Sequence, residues 1–123
     1  MGEIWQLGAL ELAAAIKAGD TTSREVVEAH LARIDAVNPH LNAGVRRLDD
    51  QALAAADAAD KARADAADPN DLPAFHGVPC TVKENIDLAG TPTTQGVPFL
   101  AEAFASVDAP SIERLKAAGA IPI

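Results

Sequence analysis

Tyrosine is absent from this sequence, tryptophan and cysteine occur once each, and phenylalanine occurs three times. Much of the hydrophobic content is alanine, which buries little apolar surface per residue at ~25 cal/mol per Å². A thin core follows, and at 123 residues it argues against full stability as an isolated unit. A single thiol, Cys80, allows no internal disulfide and suits a reducing, cytoplasmic compartment. Basic residues are scarce: 10 against 18 acidic ones, a net charge of −8. That balance excludes a general nucleic-acid or anionic-membrane surface and fits a soluble protein. Long apolar runs are missing too. The stretch around Ala13–Ile16 is too short and too alanine-rich for a signal peptide or a membrane span. His30, His40 and His76 share no ligand spacing with one another or with a carboxylate cluster, so no metal is expected. No glycine-rich phosphate loop follows a strand, so no nucleotide cofactor is expected either.

What is present divides into a helical leader (1–67), a loop (68–73) and a lysine strand with a following helix (74–123), without internal repeats. Leu12 and Ile16 at i, i+4 predict a first helix over Leu7–Ala18, with Trp5 beneath it and Gly19 as its stop. Thr22 and Glu25 form a capping-box pattern for a second helix, Ser23–Val37, with Val27, Leu31 and Ile34 on one stripe. Asn38-Pro39 is expected to end it. Alternation over Leu41–Leu48 predicts a short strand. Asp49 or Asp50 then caps a third helix, Gln51–Ala67, solvated and packed through a narrow alanine face. Asp68–Pro73 is turn-rich. A helical turn is expected near Phe99, Leu100 and Phe104. Asp108 reads as the cap of a helix with Pro110 in its first turn, Ile112 and Leu115 inward and Gly119 as its stop. Ala120–Ile123 begins a strand that is cut off mid-element.

The chemistry concentrates in Gly77–Asn85. Val78, Cys80 and Val82 alternate onto one face of a predicted strand, and Thr81 and Lys83 onto the other. A polar loop follows, the usual setting for a site on a rigid sheet. Two readings of Lys83 are open on pattern alone. A free lysine has a pKa near ~10.4 and is a cation at neutral pH. Desolvation lowers that value, and a neutral amine is a general base. The alternative is a surface lysine with a packed stem and a solvated head. Asn85, Asp87, Thr93 and Thr94 lie close by in sequence. They read either as a shell that holds the amine and the loop, or as ordinary Asx and threonine turns. Asp87 is also placed to pair with Lys83 and oppose a base role. Cys80 points away from Lys83 and reads as a buried, inert thiol; His76 reads as packing where the strand begins.

Gly77-Val78-Pro79, then Val82-Lys83-Glu84-Asn85-Ile86-Asp87, then Gly90 and Thr93-Thr94-Gln95-Gly96 resemble the lysine segment of the amidase signature family. Asp108–Leu115 and Ala117–Ile121 resemble its next helix and strand, so the similarity runs in order over Phe75–Ile123. Leu7–Asn42 resembles the family's leading helices less specifically. Two positions depart from the pattern: Glu84 stands where Asp is usual, and Val97 where Ser is frequent. The resemblance implies an α/β fold, the N-terminal portion of the amidase signature fold, with helices around a mixed β-sheet that is incomplete in this chain. It implies Lys83 as the catalytic base, with Asn85 and Thr94 supporting it, and hydrolysis of a small carboxamide to an acid plus ammonia or an amine without cofactor. The family's nucleophilic and bridging serines come from a later Gly/Ser-rich segment. Ser23, Ser106 and Ser111 have no such context, so none is assigned that role. The expected partner is therefore the C-terminal remainder of the same domain, the isolated chain is expected to be inactive, and a homo-oligomer of the full-length form is left open. Two alternatives stand beside the hydrolase: an A-type amidotransferase subunit fed by glutamine, and a non-enzymatic truncated or split fragment.

Overall fold

The computed structural model describes residues 3–123. Three helices lead the chain: α1 (Ala9–Ala18), α2 (Ser23–Leu41) and α3 (Asp49–Asp65). Two short parallel strands follow, β1 (Pro79–Cys80) and β2 (Ile121–Pro122), separated by a long loop and by α4 (Pro110–Ala117).

The central element is α2, which faces two small apolar clusters. Val26 packs with Leu12, Ala13 and Ile16 of α1 and with Val78. Val27 and Leu31 pack with Ala52 and Ala56 of α3 and with Ile121 of β2. The core is as thin as the alanine content implies, and the alanine face of α3 is the one buried. Trp5 stands against α2, with the Arg33 guanidinium 4.2 Å from its ring centroid.

Caps fix the helix ends. Thr22 accepts the Glu25 N–H while the Glu25 carboxylate accepts the Thr22 N–H, as the capping-box pattern predicts. Asp60 of α3 accepts the N–H groups of Ser23 and Arg24 at 2.6 and 3.0 Å, a second cap delivered across the fold. Arg63 donates to the carbonyls of Lys17 and Ala18 at the end of α1.

Several sequence expectations are corrected, among them the cap of α3, where Leu48 holds the N-cap position and Asp49 and Asp50 lie in the first turn. First, α2 runs through Pro39 to Leu41 and stops at Asn42 in the left-handed conformation. The Asn38 side chain accepts the N–H groups of Ala43 and Gly44 and donates to the Gly44 carbonyl, so this end closes on itself. Second, those same bonds use the amides that a strand over Leu41–Leu48 needs, and residues 42–48 form a loop instead. Third, the lysine strand is shorter than Gly77–Asn85: β1 spans Pro79–Cys80, and Lys83 follows it. Fourth, Ala109 occupies the N-cap position of α4, and Asp108 bonds elsewhere. Fifth, Ile112 is buried, but Leu115 is exposed. The turn expected near Phe99 is a single 3₁₀ turn, Pro98–Leu100; Phe104 instead forms an antiparallel bridge with Pro92.

Candidate active site

The parallel pair sets the position of the lysine segment. Pro79 pairs with Ile121 and Cys80 with Pro122. The ladder extends on both sides: Gly77 N–H donates to Gly119, Ile121 N–H to Val78, and Ile123 N–H to Cys80. Alternation holds through this segment even where ladder bonds stop. Val78 is buried, Cys80 and Val82 are half-buried, and Thr81 and Lys83 are exposed. Cys80 thus points away from the lysine face, and burial pushes its thiol pKa up, opposed in part by the charge of Lys116. His76 is buried with Nε2 2.9 Å from the Ala59 carbonyl oxygen, a packing position.

Lys83 lies on an open groove of about 580 Å³. Its lining includes Ile34, Val37 and Leu41 from the end of α2, Val82, Ile86 and Leu88 from the lysine segment and its loop, and Ile123. The lining is mainly apolar, with Lys83, Glu84, Arg46 and Arg47 as its charged members. Arg47 is fixed by Asp35 and Asp49, and the Arg46 guanidinium stands 5.7 Å from the Phe104 ring centroid. Lys83 itself is exposed among the described residues, which do not supply the dry surroundings that a neutral amine needs.

The loop beyond Lys83 folds back to it. The Lys83 carbonyl accepts the Ile86 N–H, and the Glu84 carbonyl accepts the Gln95 N–H. At the far side, Val97 N–H donates to the Thr94 carbonyl, with Gln95 at φ 52° and Gly96 at φ 74°. Positive φ at both central residues marks a mirror-image turn, which explains Gly96 and leaves Gln95 in a conformation uncommon for its type. The Thr94 hydroxyl accepts the Gly96 N–H within that turn. Asp87 accepts the Thr93 hydroxyl at 2.5 Å rather than pairing with Lys83. Asn85 is exposed beside the lysine. Of the polar residues considered, Asp87, Thr93 and Thr94 therefore hold the loop's own shape. Asp60, Arg63 and the buried Ser23, which fasten the leader helices, had no local sequence signal, because their partners are distant in the chain.

The profile of the Amidase family matches residues 25–123, which contain the lysine segment, the loop and both strands. The chain belongs to the amidase signature family. It is 50% identical over 122 residues to an indoleacetamide hydrolase of Bradyrhizobium diazoefficiens, covering 99% of this chain and 23% of that protein. It is 41% identical over 121 residues to the A-type subunit of the glutamyl-tRNA(Gln) amidotransferase from Chloroflexus aurantiacus, covering 98% and 24%. Among solved structures, the peptide amidase of Stenotrophomonas maltophilia superposes with a TM-score of 0.83 at 32% identity, over 96% of this chain and 24% of that one. The chain thus spans about a quarter of the length of the curated relatives it matches. The amidase signature fold expected from the lysine motif is the fold observed, here as its helical leader and one parallel strand pair.

Proposed function

We propose that these residues are the lysine-bearing part of an enzyme that hydrolyses a carboxamide C–N bond. The observation that carries this reading is the coincidence of the family's lysine motif with an open, mainly apolar groove that has Lys83 on its lining. In this reading Lys83 takes a proton from the bridging serine, which takes one from the nucleophilic serine. That serine attacks the carboxamide carbonyl, with backbone N–H groups holding the oxyanion. The C–N bond breaks as the amine leaves with a proton returned through the same relay, and water then hydrolyses the acyl-enzyme to the acid. A base must be unprotonated, and a dry site favours that form of an amine. The remainder of the domain supplies both serines and covers the groove. Asn85 and Thr94 support the lysine loop from its two ends. No cofactor enters this chemistry, and neither a nucleic acid nor a membrane is a partner; a reducing, cytoplasmic setting suits the single thiol.

The 50% identity to an indoleacetamide hydrolase makes a primary arylacetamide the first substrate to assay. The complete protein is expected to release ammonia from indole-3-acetamide or a similar amide, and Lys83→Ala to abolish release. The isolated 123-residue chain is expected to release none; amide hydrolysis by that chain, lost in Lys83→Ala, would refute the division of labour. A second reading, an A-type amidotransferase component, draws on the 41% identity to such a protein. Glutaminase activity that exceeds arylacetamide hydrolysis and rises with added partner subunits would select it.

A further inference from the structure

Beyond the groove, the loop after Lys83 is fastened to the start of α4. Asp108 Oδ1 accepts the Ala89 N–H at 2.8 Å, and Oδ2 accepts Lys116 Nζ at 2.6 Å. Next to it, the Ala109 N–H donates to the Asp87 carbonyl at 2.9 Å. Asp87 in turn accepts the Thr93 hydroxyl, so the two limbs of the loop are joined where α4 grips them. The Asp108 side chain is 13% exposed although it lies outside any helix or strand. A carboxylate placed just before a helix ordinarily caps it by accepting one of its first amides. Here the N-cap position belongs to Ala109, whose carbonyl accepts the N–H groups of Ile112 and Glu113, and no side chain caps α4. Both oxygens of Asp108 are committed elsewhere, one to the loop and one to the last turn of α4.

This matters to Lys83 because the lysine follows β1 and has no ladder bond of its own. Its backbone is set from behind by the strand pair and from ahead by the loop, through the Lys83–Ile86 and Glu84–Gln95 bonds. We propose that Asp108 is a positioning residue for Lys83. It fixes the far side of the loop against α4, with Lys116 holding the carboxylate in place, and so fixes where the amine projects over the groove. This rests on the reading of Lys83 as the base.

Two readouts separate the clasp from that reading. The first is amide hydrogen exchange in the complete protein. Asp108→Ala is expected to speed exchange at Ala89 roughly tenfold, since a hydrogen bond to a charged acceptor is lost. Ile112 and Glu113 of α4 are expected to change by less than about twofold, because their bonds do not involve Asp108. Asp108→Asn, whose amide oxygen still accepts from Ala89, is expected to keep most of the protection. Unchanged exchange at Ala89 in Asp108→Ala, or equal acceleration at Ala89 and in α4, overturns the clasp. The second readout is amide hydrolysis by the complete protein. Asp108→Ala is expected to lower kcat roughly tenfold with KM little changed, and Asp108→Asn to restore most of it. Faster exchange at Ala89 with unaltered kcat overturns the positioning role while leaving the lysine reading intact. Full activity in Lys83→Ala overturns the lysine reading, and the positioning role with it, whatever Ala89 does.

Discussion

The Ser23 hydroxyl donates to the Gly77 carbonyl at 2.8 Å, and both residues are buried. This bond joins the first residue of α2 to the residue from which the lysine segment departs. Gly77 has φ +74°, and a Cβ built there would stand 2.7 Å from both Cβ and Oγ of Ser23. Gly77→Ala therefore combines left-handed strain with overpacking and is expected to destabilise by about 2–4 kcal/mol. Ser23→Ala, which only leaves the Gly77 carbonyl unpaired, is expected to cost about 1–2 kcal/mol. Denaturant midpoints of the two variants check the ranking; a Gly77→Ala midpoint at or above that of Ser23→Ala contradicts it.

Asp60 holds the start of α2 from a distance. Its carboxylate accepts two of the orphan N–H groups of that helix, where the helix dipole also favours negative charge. Asp60→Ala is expected to cost about 1–2 kcal/mol and to speed hydrogen exchange at Ser23 and Arg24 more than at the end of α2. Uniform acceleration along α2 would contradict a local capping role.

Acid should loosen the lysine loop at a defined point. The Lys116 ammonium, then the Ala89 N–H, hold the Asp108 carboxyl below its ordinary value of 3.8. The group binds protons more weakly folded than unfolded. Its stabilisation is therefore present above the unfolded value and is lost as pH falls through the folded one. The Ala89 amide resonance is expected to titrate below the ordinary aspartate range, and Lys116→Met to move that inflection upward. An inflection unmoved by Lys116→Met would show that the pair contributes nothing.

Cys80 should be a sluggish thiol. It is half-buried on the face opposite Lys83, and burial raises its pKa. At pH 8 its alkylation by iodoacetamide is expected to be roughly tenfold slower than that of a free thiol. Alkylation at the free-thiol rate would place it on an open, electropositive surface instead.

Local signals in the sequence located what is held locally. The Thr22–Glu25 box, the Gly19 stop, the Leu12/Ile16 and Val27/Leu31 stripes and the alanine face of α3 each depend on neighbours within a turn or two. The lysine segment and its loop stood out because their motif is specific. What stayed hidden depends on contacts between distant residues. Pro39 looked like a stop, yet Asn38 turns its side chain forward to hold the last turn. Asp108 looked like a cap because it precedes Pro110, yet its acceptors are used by Ala89 and Lys116. Alternation over Leu41–Leu48 carried no information about amides already engaged by Asn38. Leu115 has inward-facing helical spacing but is 38% exposed.

The most direct measurement is kcat/KM of the complete protein on a primary carboxamide, before and after Lys83→Arg, with the variant's fold verified by circular dichroism. Arginine keeps the positive charge and the reach but cannot serve as a base at neutral pH. If the amine at position 83 accepts the proton, kcat/KM falls on the order of 10²- to 10⁴-fold. A correctly folded Lys83→Arg protein that keeps the parent's turnover would contradict it.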